Sequence, residues 1–131
     1  MKKVEVVAAI IKFGEEILCV QKPKHKFDYI SYKYEFPGGK IEEGESHEQA
    51  VLREIIEELN LKVTIRSFFT TIIYSYPDFE LTMHSYLCDV DTKELTLNEH
   101  INYQWLYAEH LAPLNWAAAD LPIVKKLMAT Q

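Results

Sequence analysis

The spacing of apolar residues changes several times along the chain, and each change marks an element. Residues 4–12 and 17–22 are rich in β-branched and apolar side chains, which predicts two strands about a turn at Phe13-Gly14-Glu15. Residues 23–34 are polar and aromatic without a period and predict a loop leading through Glu35-Phe36-Pro37 to a glycine turn at Gly38-Gly39. The period then becomes helical. Val51, Leu52, Ile55, Ile56 and Leu59 make one apolar stripe on a helix over 46–59. Ser46, with Gln49 three residues later, is a capping-box start for it. Residues 62–75 and 80–90 predict a hairpin about Tyr76-Pro77-Asp78, and 102–107 a further short strand. Asp120 is placed to cap a last helix through Met128, with Leu121, Val124 and Leu127 facing inward. Strands mixed with two helices give an α/β class. No repeat or linker interrupts the pattern, so residues 1–131 are expected to form a single domain.

Charge narrows the choice of partner. The formal net charge of −6 argues against a broad nucleic-acid-binding surface. Lys22, Lys24, Lys26, Lys33 and Lys40 nevertheless cluster in sequence and could hold one small anionic ligand. Cys19 and Cys88 form no CxxC pair and lie in strand-like runs, as buried reduced thiols of a cytoplasmic protein do. Met1-Lys2-Lys3 imitates a signal peptide only faintly, because Glu5 and Lys12 interrupt the apolar run. No stretch approaches the ~20 apolar residues that span a bilayer.

The helix over 46–59 carries the chemistry. Glu54, Glu57 and Glu58 stand at i, i+3 and i+4 and are expected together on the face away from the stripe. Like charges so placed destabilise an isolated helix by roughly 0.2–0.5 kcal/mol per pair. A hard divalent cation turns that repulsion into binding, because Mg²⁺ and Mn²⁺ prefer oxygen ligands. An acidic helix face is common, but here the pattern is longer. Gly39, Glu45, Arg53-Glu54-Ile55, Glu57-Glu58 and Asn60-Leu61 keep the spacing of the Nudix signature over residues 39–61. The chain thus resembles the Nudix hydrolases, which cleave a nucleoside diphosphate linked to another group. The one departure is Asn60, where the family has Gly. Asn is the next best residue for a helix end with positive φ.

The resemblance implies a mixed, curved β-sheet sandwiched between α-helices. It implies Mg²⁺, with Mn²⁺ able to substitute, held by Glu54, Glu57 and Glu58 with the backbone carbonyl of Gly38. Glu54 is either a ligand or the base for the attacking water, and the sequence leaves both open. Arg53 would orient Glu54 or its neighbours through a bidentate bond. Glu45 would hold the loop against the helix. Lys40 would bond a phosphate or brace an acid.

Outside the signature the chain is similar to the MutT-like branch of small nucleoside triphosphate pyrophosphohydrolases. The pieces are Met1-Lys2-Lys3, Glu35-Phe36-Pro37-Gly38-Gly39-Lys40, Tyr76-Pro77-Asp78, Trp105 and Ala119-Asp120-Leu121-Pro122. That likeness puts Glu99 near the metals, Lys22 near the phosphates, and Asp120 where a polar side chain reads the base. An ionised Asp120 accepts only, which suits the cytosine N4 amine, whereas a raised pKa would let it donate toward 8-oxoguanine. Phe36 and Phe79 could stack on a base or belong to the core. The five histidines show no local metal spacing, so zinc is not expected. The expected activity is Mg²⁺-dependent hydrolysis of a (deoxy)nucleoside triphosphate to monophosphate and pyrophosphate, by a monomer or weak homodimer. The rivals are hydrolysis of nucleotide sugars or dinucleoside polyphosphates, and a nucleotide-sensing module without turnover.

Overall fold

The computed structural model describes residues 1–130. Strand β1 (Lys2–Phe13) is the spine, and β2 (Glu16–Gln21) folds back on it through Gly14, whose φ is 60°. Two short strands follow in what the sequence presents as loop and turn, β3 (Tyr34–Glu35) and β4 (Gly38–Lys40). Helix α1 (His47–Leu59) comes next, then the hairpin β5 (Thr64–Ser75) and β6 (Phe79–Asp89), then β7 (Asn102–Tyr107). Helix α2 (Leu121–Ala129) closes the chain after 3-10 turns at Ala108–His110 and Ala118–Asp120.

These strands form one open mixed sheet in the order β3-β2-β1-β6-β5, with β4 added to β1 and β7 to β2. Only β1 and β6 run parallel, from Lys2 opposite Phe79 to Lys12 opposite Asp89. Alternation along β1 sorts its side chains between two cores. Val7, Ala9 and Ile11 face α1, with Leu18, Val20, Val51, Ile55 and Leu59. Ala8 and Ile10 face α2, with Ile17, Cys19, Ile123, Val124 and Leu127. This is the expected sandwich, a sheet between two helical layers.

Both ends of α1 follow local rules. Ser46 accepts from the Gln49 backbone N–H at 3.1 Å while the Gln49 side chain accepts from the Ser46 N–H at 2.9 Å. Asn60 ends the helix in the left-handed region, at φ 52°. The face that α1 buries differs from the expected stripe. Ala50, Val51, Ile55 and Leu59 turn inward, and Glu58 turns in with them, whereas Leu52 and Ile56 are exposed. Glu58 lies three residues after Ile55 and seven after Val51, so helical geometry puts it on the buried side once Ala50 joins that face. The expectation that all three carboxylates point away from the core is thus corrected for Glu58.

The last helix needs two corrections. Ile123, not Leu121, joins Val124 and Leu127 in the core, and Leu121 is exposed. Asp120 stands at the N-cap position without a side-chain capping bond, because its carboxylate is turned toward Phe36. Both cysteines are buried free thiols, pushed up to about 12 by burial. No helix of the described residues is long and apolar enough to cross a membrane.

Candidate active site

Arg53 organises the exposed side of α1. Its Nε and Nη2 donate to the two oxygens of Glu45 at 2.6 and 2.9 Å, a bidentate pair. Nη1 donates to Glu54 at 2.8 Å and to Glu57 at 3.2 Å, and Nη2 reaches the Lys40 carbonyl at 3.0 Å. The two-fold grip therefore falls on Glu45, and Glu54 receives a single bond. Glu45 also accepts from the Glu42 backbone N–H at 2.9 Å. The Arg53 hydrogen bonds, with that amide, hold the Glu45 carboxyl down to about 2. The Arg53 guanidinium is raised in turn, first by Glu45. Lys40 contributes its carbonyl here, and its side chain is exposed.

Strand β4 lies hard against this cluster. A Cβ on Gly39 would run into the Glu54 carboxylate, and a Cβ on Gly38 into the Val7 carbonyl oxygen of β1. Close approach, rather than an unusual dihedral, requires glycine at both positions, since neither has positive φ.

Glu58 is the buried member of the trio, only 2% exposed. Burial first, then Glu54, Glu35 and Glu99, push its carboxyl well above the ordinary carboxylate range. His100 faces it, with Nδ1 3.9 Å from Glu58 Oε1, and neither atom has a hydrogen-bond partner. A buried polar atom left unpaired costs about 1–3 kcal/mol. His100 Nε2 meets Glu35 Oε2 at 2.9 Å, and Lys22 Nζ lies 3.9 Å from the same oxygen. The segment after β6 brings His100 and Glu99 here by docking on the end of α1. The N–H groups of Thr96 and Asn98 donate to the carbonyls of Leu59 and Glu58, and Asn98 Nδ2 donates to that of Glu57. Three carbonyls that a helix end leaves unpaired are thereby satisfied. Glu99 itself is exposed.

On the other side of β4 a cavity of about 210 Å³ opens between the sheet, the loop after β2 and the turn that precedes α2. Its wall includes Lys22, Glu35, Phe36, Tyr76, Phe79 and Asp120, and Gly38 and Gly39 form its edge. Phe36 is buried and stacks on Trp116, ring centroids 4.8 Å apart. Phe79 packs against Tyr76 at 5.1 Å, and Tyr76 accepts through its hydroxyl from the Ala119 N–H at 2.9 Å. Asp120 is 4% exposed, and its Oδ2 accepts from the Phe36 N–H at 3.0 Å. Burial, then the charge of Glu35, raise the Asp120 carboxyl well above its ordinary value, opposed by the Phe36 N–H and Lys22.

The structure thus gathers Arg53, Glu54, Glu57, Glu58 and Glu99 at one end of β4, and Lys22, Phe36, Phe79 and Asp120 around the adjoining cavity. Of the substrate-binding residues expected from sequence, only Lys40 does not line the cavity. Sequence reasoning missed His100, Glu35 as a site residue, Tyr76 and Trp116. Glu35 sits inside the run that carried the resemblance, whereas His100 gave no local signal.

Hard oxygen donors around a partnerless buried carboxylate atom fit a divalent cation, and the aromatic-walled cavity beside them fits an organic group. That pairing is what hydrolysis of a phosphoric anhydride needs. The chain belongs to the Nudix family, whose NUDIX domain model matches residues 1–127. It is therefore a hydrolase of phosphoric anhydrides, in a family that generally needs a divalent metal ion. Among its relatives, the CTP pyrophosphohydrolase of Escherichia coli K12 is 33% identical over 129 residues, covering 98% of this chain and 94% of that one. The 8-oxo-dGTP diphosphatase of the same organism is 32% identical over 128 residues, covering 97% and 98%. The solution structure of the Escherichia coli ORF135 protein superposes with a TM-score of 0.81 at 32% identity, covering 98% of this chain and 91% of that one.

Proposed function

We propose that this enzyme hydrolyses a (deoxy)nucleoside triphosphate to the monophosphate and pyrophosphate, clearing damaged or surplus nucleotides in the cytoplasm. One observation carries the reading. The base-sized cavity and the carboxylate helix share a single thin wall, the glycine strand β4. A base seated against Phe36, Phe79 and Asp120 would send its phosphates past Lys22 and Gly38-Gly39 toward α1. The residues fit Mg²⁺, or Mn²⁺ in its place, held by Glu54, Glu57, Glu58 and the Gly38 carbonyl, with Glu99 at the rim. When bound, the metal would neutralise phosphate charge and lower the pKa of a coordinated water.

The chain's own residues do the rest. Arg53 holds Glu54 and Glu57 in register, so their carboxylates do not swing apart as the charges repel. Glu45 anchors Arg53 in turn. Glu54, against β4, is placed to ligate or to accept the proton of the attacking water. Asp120 reads the base. Its raised pKa supports a carboxyl that is protonated at lower pH and donates there, and that at higher pH only accepts. Residues 1–131 would act as one domain, a monomer or weak homodimer, without nucleic acid or membrane as partner.

The test is incubation with Mg²⁺ and a panel of normal and oxidised triphosphates, nucleotide sugars and dinucleoside polyphosphates, with products identified by mass. Release of pyrophosphate and monophosphate from a triphosphate is the expected result. Release of sugar phosphate in preference, or binding without turnover, refutes it.

A further inference from the structure

Outside the site on α1, a second group of metal-ligating side chains meets over the same face of the sheet. Glu5 lies on β1, His84 on β6 and His47 at the first position of α1. Val7 is opposite His84 across the parallel pair, and Glu5 precedes Val7 by two residues, so Glu5 and His84 share the face that α1 covers. His84 Nε2 lies 2.6 Å from Glu5 Oε2. The His47 and His84 rings are stacked, with centroids 4.2 Å apart and planes 19° apart. One ligand atom from each of the three residues lies within 4.8 Å of the other two.

We propose that Glu5, His47 and His84 form a second divalent-metal site, of the imidazole-rich kind that takes Zn²⁺, distinct from the carboxylates of α1. The donor set differs in kind from that site. Two imidazoles and one carboxylate suit Zn²⁺, whereas Mg²⁺ prefers oxygen alone. The rings are also oriented from behind. His84 Nδ1 meets the Thr71 hydroxyl at 2.8 Å, and His47 Nδ1 meets the Tyr86 hydroxyl at 3.1 Å. Each Nδ1 is thereby engaged, so Nε2 of each ring is the atom that would face a metal, His84 Nε2 exchanging its contact with Glu5 Oε2 for a shared ion, the arrangement that metal-bound histidines show. An ion pair between Glu5 and His84 would account for those two residues alone. It gives no reason for a second imidazole stacked on the first, with its own hydroxyl partner. Three protein ligands leave a fourth position open to water or an anion. A bound ion would fasten the start of α1 to β1 and β6. His47 precedes Glu54 by seven residues, about 10 Å along the helix axis, so the two sites can fill independently.

The experiment is calorimetric titration of Zn²⁺ into the full chain with Mg²⁺ already saturating, beside melting curves with and without Zn²⁺. One Zn²⁺ per chain should bind and raise the melting temperature. His84→Ala and His47→Ala should each weaken binding by 10-fold or more, and Tyr86→Phe by about 10-fold through the lost hydroxyl. Glu57→Gln should leave Zn²⁺ binding unchanged. Should a histidine variant fail to fold, Glu5→Gln, altered at a largely exposed side chain, decides instead by the same loss of affinity. Zn²⁺ affinity that is unmoved by His47→Ala and Glu5→Gln, or that disappears with Glu57→Gln, overturns the proposal.

Discussion

Gly39→Ala should cripple turnover while sparing the fold. A Cβ at position 39 would stand 2.5 Å from Glu54 Cδ and 2.8 Å from its Oε1. Ordinary contacts between such atoms lie at about 3.5–4.0 Å, so the carboxylate must retreat by roughly 1 Å. It can do so by rotating its own torsions, at the expense of the 2.8 Å bond from Arg53. Folding should therefore survive, with the melting temperature lowered by about 4 °C or less. Misplacing a reacting group by roughly 1 Å costs on the order of 100-fold in rate, and that is the expected fall in kcat.

The assay is pyrophosphate release from the best triphosphate, run on Gly39→Ala, Glu54→Gln and the double variant. If Gly39 acts through Glu54, the double variant should be no slower than Glu54→Gln alone. Gly38→Ala is the contrast. Its Cβ meets the backbone of Val7 and Ala8, which cannot rotate away, so β4 should part from β1 and stability should collapse. Full activity in a folded Gly39→Ala enzyme, or additive losses in the double variant, would refute the claim that the strand positions Glu54.

Other expectations follow from the same geometry. Glu57→Gln should lower kcat by at least ~100-fold with little change in folding, as removal of a charged metal ligand predicts, checked by steady-state kinetics. Mg²⁺ or Mn²⁺ should raise the melting temperature by mass-action linkage, and Glu58→Gln should blunt the rise; an unchanged curve at saturating metal counts against the site. Glu45 has its folded pKa depressed from 4.5 to about 2, so its contribution is present above the ordinary value and lost as pH falls toward 2. Acid titration of Glu45→Gln should show a shallower loss over that window than the parent chain. Asp120 has its folded pKa raised, so its own contribution to stability is fully present below the ordinary value of 3.8 and is lost as pH rises through the folded pKa. Asp120→Asn should therefore melt higher than the parent at alkaline pH and gain least at acid pH. The same change should shift the kcat/KM ratio between cytosine-type and oxidised-guanine triphosphates by about tenfold or more; an equal effect on every base would make Asp120 scaffold only.

Features set by a few neighbouring residues were legible before the fold. Ser46, Gln49 and Asn60 announce the ends of α1 because capping is local. Arg53, Glu54, Glu57 and Glu58 were legible through their fixed spacing. Which way α1 would turn was not. Leu52 and Ile56 look as apolar as Val51 and Ile55, yet β1 and β2 offer a groove that takes only one of two overlapping faces. Ala50 and Glu58 reveal that choice only after packing. The strands β3 and β4 escaped notice for a different reason. Two or three residues hold no period, and Gly38 and Gly39 pair because β1 lies beside them. The Zn²⁺ ligands we infer were equally silent, since β1, α1 and β6 bring them together only in the fold.

Glu35 shows most plainly what tertiary structure adds. Chemically it is one acidic residue on a two-residue strand, with no partner near in sequence. The fold pairs β3 with β2, which sets Glu35 beside Lys22, and the docked segment before β7 sets His100 on its other side. From there its charge raises both the Glu58 carboxyl on α1 and the Asp120 carboxyl in the cavity. The two ends of the site therefore feel one charge through the wall that separates them. A cation at α1 that attracted Glu35 would weaken its push on Asp120, and a protonated Asp120 would meet less opposition from Lys22 wherever Lys22 turned toward phosphate. The reading of the base and the handling of the phosphates would thus be linked electrostatically through Glu35, which lines the cavity and meets His100 beside Glu58.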